Sequence, residues 1–60
     1  MKLNDRVMTQ HGPGVIKDIE PVYNYFRYGI LHDKWPEGFS KDLFKNRILY
    51  YLREAIKEED

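Results

Sequence analysis

Residues 40–60, SKDLFKNRILYYLREAIKEED, contain neither Gly nor Pro, and their reading decides the fold. Apolar residues fall at 43/44, 48, 51/52 and 55/56, the spacing of an amphipathic helix, and Ser40 stands where an N-cap would. Yet the run ILYY at 48–51 is rich in strand formers, and a single turn LREA followed by a short strand IKE would continue it. A helix over 41–57 would cover a three-stranded sheet. A strand-turn-strand would instead complete an all-β domain of five strands. Periodicity alone favours the helix.

Upstream, DRVMTQHGPGVIKDIE at 5–20 places an apolar-containing run on each side of HGPG, the pattern of a β-hairpin. Gly12 and Gly14 can take positive φ, and Pro13 fixes its own φ, so a turn is expected over residues 11–14. Along VIKDIE the alternation slips, because Ile16 and Ile19 differ in parity. A bulge near Lys17-Asp18 would let both face one core. Pro21 is expected to end that strand, with PVYN as a second turn. YFRYGIL at 25–31 is the strongest strand, with Phe26, Tyr28 and Ile30 on one face and Tyr25, Arg27, Gly29 and Leu31 on the other. The stretch HDKWPEGFSKD that follows is polar and reads as an exposed loop carrying Trp35 and Phe39. Both folds would bury Val7, Ile16, Ile19, Phe26, Tyr28, Ile30, Ile48 and Leu52.

Sixty residues allow one small domain, 1–60, without room for a second core. There is no cysteine, hence no disulfide and no thiol nucleophile, which suits a reducing compartment. The opening MKLNDRV lacks the apolar core of a signal peptide, and no run approaches the length of a membrane span. A cytoplasmic protein without membrane contact is expected. Net charge is zero but unevenly spread: residues 54–60 carry −3 and residues 1–53 carry +3. The acidic end, 57–60 above all, reads as a solvated tail.

Neither metal binding nor catalysis finds a pattern. His11, His32 and Asp33 are ligand types, but they sit in separate turns with no third His or Cys, so polar turn residues are expected and no metal or cofactor. The hydroxyls of Thr9 and Ser40 lie in no nucleophile motif, and so small a chain offers little wall for a water-excluding cleft. HGPG lacks the GxGxxG spacing and leads into a strand, so it is not a phosphate loop. A non-enzymatic module is expected.

The run LNDRVMTQHGPGVIKDIE at 3–20 resembles the opening of small SH3-like barrels of the KOW and CarD-like kind. Asp5, Val7, Gly12, Gly14, Ile16 and Ile19 fill the places of their polar-Asp-x-Val strand, Gly-containing turn and strand ending in Ile and an acid. RYGIL at 27–31 is similar to the third strand of such barrels, and YYLREAIK at 50–57 resembles their ending of strand, one 3₁₀ turn and closing strand. The resemblance implies a five-stranded SH3-like barrel, with strands near 5–10, 14–20, 25–32, 47–51 and 55–58 and a long loop before the fourth. Similar short barrels occur among small bacteriophage proteins, which implies a phage source. CarD-like barrels bind RNA polymerase by pairing an edge strand with the partner's sheet. A phage or accessory factor docking on host machinery such as RNA polymerase is therefore implied.

Nine aromatics, five of them Tyr, supply the candidate binding surface. Tyr23, Tyr25, Trp35, Phe39 and Tyr50 fall in loops or opposite the inferred core. Arg27, Lys41, Lys45 and Arg47 stand among them in sequence, with Lys34 close by. Such a patch suits a protein interface with aromatic anchors, or a nucleic-acid surface in which rings stack on bases and the basic loop 34–47 holds phosphates. A small, Tyr-rich, net-neutral domain can also self-associate, so a homo-oligomer is a third expectation.

Overall fold

In a computed structural model that describes residues 1–58, and of Lys45 the backbone alone, the chain first reverses at Gln10–His11. Strand β1 (Arg6–Thr9) pairs antiparallel with β2 (Gly12–Val22), Thr9 lying opposite Gly12. The turn is therefore tighter than residues 11–14, and Gly12 to Gly14 already belong to β2. The Thr9 hydroxyl explains it: it donates to the Gly12 carbonyl at 3.1 Å and accepts from the His11 N–H at 3.0 Å, closing the loop early. Gly12 keeps the positive φ, +111°. Gly14 is needed for space, since a Cβ there would lie 2.7 Å from both Ile30 Cγ2 and the Leu31 carbonyl oxygen.

β2 continues through Pro21 to Val22 rather than ending at the proline. Ile16 still exchanges backbone hydrogen bonds with Asn4 and Asp5, but beyond it none is found on that side among the described residues, so the N–H that Pro21 lacks costs no ladder bond. β3 (Tyr25–His32) pairs along β2, with Ile16 opposite Ile30 but Asp18 opposite Gly29. Lys17 is thus the extra residue of a bulge, and Ile16 and Ile19 both reach the core side, as their parity required.

Residues 41–57 form no helix of the α type. Lys41–Leu43 and Arg53–Ala55 are single 3₁₀ turns, Lys45–Arg47 is a tight turn without helical backbone angles, and β4 (Ile48–Leu52) and β5 (Lys57–Glu58) are strands. Asn46 and Arg47 sit at φ of +61° and +57°, which no right-handed helix can cross. The expected tail accordingly begins as strand: Lys57 and Glu58 pair with Met8 and Val7, while residues 59–60 lie outside those described. Among the described residues, no helix is long and apolar enough to cross a membrane.

The five strands make one antiparallel sheet in the order β4-β3-β2-β1-β5, with β4 and β5 as its two edges and no closure into a barrel. Val7, Ile16, Ile30, Leu49, Tyr51 and Ile56 form one buried cluster, with Ile19 and Tyr28 half-buried against it. On a flat sheet β1 and β4 would be about 14 Å apart, at roughly 4.8 Å per strand. A common cluster therefore requires the sheet to curl around it.

Three expected core residues are corrected. Phe26 is 52% exposed because the β2–β3 hairpin outruns β4, whose last pair is Arg27 with Leu52. Ile48 and Leu52 share the outer face of β4, and Leu52 is 44% exposed. Leu49 and Tyr51 point inward instead. An i, i+4 pair shares a face on a helix and also on a strand, but here that face is the wrong one.

These placements make an ordered prediction. Ile56→Ala, at a site 2% exposed, should cost about 2–5 kcal/mol in urea unfolding, whereas Leu52→Ala should cost under about 1 kcal/mol. The reverse order would restore the helical packing.

Candidate functional site

The residues singled out by sequence separate into two groups. Tyr25, Arg27 and Tyr50 share the outer face of the sheet, because Arg27 is opposite Leu52, and Gly29 between them is opposite Tyr50. With no side chain at Gly29, the Tyr50 ring lies across it, and the Tyr50 hydroxyl donates to Asp18 Oδ2 at 2.5 Å. That hydrogen bond, then burial, pushes the Tyr50 hydroxyl up to about 12. Arg27 lies over the same ring, its Cζ 4.4 Å from the centroid, and binds Glu20 Oε2 through Nη2 at 2.6 Å. The Glu20 carboxylate raises Arg27 above its ordinary value, so the guanidinium stays charged. The outer face is thus a fixed mosaic: a Tyr ring, a cation held over it and two carboxylates at its rim, with Tyr25 and Leu52 exposed beside them.

At the hairpin tip Tyr23 is fully exposed, with φ of +53°. Val22 is opposite Tyr25, so Tyr23–Asn24 is a two-residue turn, a position that favours Gly or Asn. An aromatic ring there packs on nothing and holds a strained backbone, a combination found where a side chain serves something outside the chain.

Trp35 and Phe39 go the other way. The indole N–H donates to the Phe39 carbonyl at 2.6 Å, and Trp35, Phe39 and Phe44 form a cluster with centroids 5.7–6.5 Å apart. All three are half-buried against the core. The loop before β4 is therefore pinned by its rings, while Lys34, Lys41 and Arg47 project from it exposed. The Lys45 side chain lies outside the described residues. In 34–47 the rings are turned toward the core, while the described bases Lys34, Lys41 and Arg47 face outward.

Sequence reasoning missed the histidines. His32 ends β3 and is buried, and His11 stands beside it, centroids 6.5 Å apart. The Tyr51 hydroxyl joins them, 2.8 Å from His32 Nε2 and 2.9 Å from His11 Nδ1. His32 Nδ1 lies 3.3 Å from the Pro13 carbonyl, which can only accept, so Nδ1 carries the proton. Neutral His32 then accepts from Tyr51, and Tyr51 accepts from His11. Phe39 meets the His11 ring edge-on at 4.9 Å, tying this chain to the pinned loop. Alternation could have marked His32 as inward, two residues after Ile30, but its polarity argued against it. Among the described residues, no three His, Cys, Asp or Glu side chains come close enough to hold a metal.

The chain matches no protein-family model, no curated protein and no solved structure.

Two outcomes follow from this geometry. Burial, with a lesser contribution from His11, holds His32 below 6.5, so the unfolded chain takes up its proton first as pH falls. Stability should decline as pH drops through and below about 6.5, and His32→Gln should flatten that decline in melts between about pH 7.5 and 5.5. Asp33, held below its ordinary value by Arg6, titrates in a lower range and leaves this window clean.

At the tip, Tyr23→Gly relieves the backbone and removes no packing. It should leave stability unchanged or raise it by up to about 1 kcal/mol in urea unfolding. A clear loss of stability would show that the Tyr23 ring packs within the chain.

Proposed function

We propose that this chain is a non-enzymatic protein-interaction module of the SH3-like kind, an accessory factor of phage type that docks on host machinery through an edge strand. The observation that carries the reading is the free edge of β4. Ile48–Leu52 pair with β3, and among the described residues no other backbone bonds reach them. Free edges of apolar strands pair with other strands unless something blocks them, and β4 holds no charge, proline or bulge of its own. Next to that edge lie Tyr50, Arg27 and Tyr25, residue types that anchor protein interfaces.

The strand order, the bulge after Ile16 and the 3₁₀ turn between β4 and β5 support an SH3-like barrel left open. The likeness to CarD-like domains makes bacterial RNA polymerase the first partner to test. Nucleic-acid binding through 34–47 has less support, because Trp35 and Phe39 are turned inward and cannot both stack on bases there.

Hydrogen exchange on addition of bacterial RNA polymerase tests the reading. Amides of residues 48–52 should exchange more slowly, and binding should persist as salt is raised from about 0.1 to 0.5 M. Protection confined to 34–47 by a single-stranded oligonucleotide, with affinity falling steeply in salt, would transfer the function to nucleic acid.

A further inference from the structure

β4 is more than an open edge, because a notch lies on one side of it and a cation stands at each end. In an antiparallel ladder, alternate residues of an edge strand point their N–H and C=O away from their partner, so about half of Ile48–Leu52 offers both groups outward. On the core side of that edge is a notch of about 150 Å³ between β4 and the pinned loop, walled by Phe39, Phe44, Leu49, Tyr50, Tyr51 and His11. An added strand would carry alternate side chains on that side, and the notch has room for one large apolar group.

The two ends of the strand are cationic. Arg47 immediately precedes β4 and Arg53 immediately follows it, and both are exposed. Arg53 gives one N–H to the Ile56 carbonyl at 3.2 Å, and Arg47 makes no ion pair among the described residues. A second copy of this chain is a poor occupant. In the antiparallel register that overlaps all five residues, Tyr50 faces its counterpart and Arg47 faces Arg53 at both ends. Like charges directly opposite each other destabilise a strand pair.

We infer that β4 accepts an extended strand of a partner protein with carboxylates at both ends and an apolar side chain between them that fills the notch. The carboxylates meet Arg47 and Arg53, about 20 Å apart along an extended chain, and the backbone completes the ladder. This rests on the reading of β4 as the docking edge and adds the chemistry of what docks. The same two arginines that oppose self-pairing select the partner.

The test uses the full chain and two synthetic seven-residue peptides, alike except at their ends. Both place Leu at positions three and five, which fall opposite Leu49 and Tyr51 on the notch side, and Thr at positions two, four and six, and one ends in Glu on both sides while the other ends in Lys. The Glu-ended peptide should bind at least tenfold more tightly, with amide shifts along 48–52 and ring shifts at Phe39 and Phe44. The double variant Arg47→Glu, Arg53→Glu, its fold checked by circular dichroism, should reverse that preference. Equal binding of both peptides at β4 would overturn the charge selection while leaving the docking edge in place. Binding by neither peptide, with β4 protected by RNA polymerase, would overturn the proposed partner chemistry alone. If neither peptide nor polymerase protects β4, both readings fall.

Discussion

The extra residue at Lys17 is the constraint on which the sheet depends. Without it, strict alternation from Ile16 would bury Asp18 and expose Ile19, and the second half of β2 would present the wrong face to the core. With it, Ile16 packs under β3 beside Val7, and Ile19 packs beside Tyr28 farther along. The bulge also adds local twist and bend to β2, the strand that pairs with β1 at its start and with β3 along its length. The curl that brings Val7 and Leu49 into one cluster begins there.

A chain this small has few side chains to spare, and several serve two purposes. Tyr51 contributes its ring to the core and its hydroxyl to two histidines, so the end of β3, the first turn and β4 are fastened at one point. His11 in turn supports Phe39, which with Trp35 and Phe44 pins the loop before β4. The wall of the notch beside β4 is therefore made by the same contacts that hold the loop. Any ligand of that notch would bind a surface organised before it arrives, which limits the ordering cost of binding.

What remains uncommitted within the molecule lies on the outer face, the hairpin tip and the β4 edge. Arg27, Tyr50, Asp18 and Glu20 are mutually satisfied, so that face is rigid but not buried. Tyr23 and the β4 edge are satisfied by nothing among the described residues. Exposed strain and an unpaired ladder are costs to a small domain that nothing among the described residues offsets.

Residue order alone determined much of this. The β-branched and aromatic runs marked the first three strands, the parity of Ile16 and Ile19 required a bulge, and Gly12 marked a positive φ at the first turn. These are local properties, set by pleat, φ and side-chain volume. The C-terminal third was different, because the apolar spacing of residues 43–56 fits a helix as well as strands. The left-handed turn at Asn46–Arg47 and the pairing with β3 and β1 decided between them. Only tertiary structure could gather His11, His32 and Tyr51, separate Trp35 and Phe39 from Tyr25 and Tyr50, and leave β4 at an edge. Contacts between residues far apart in sequence depend on which face each strand buries, and in β4 that face was set by its neighbours.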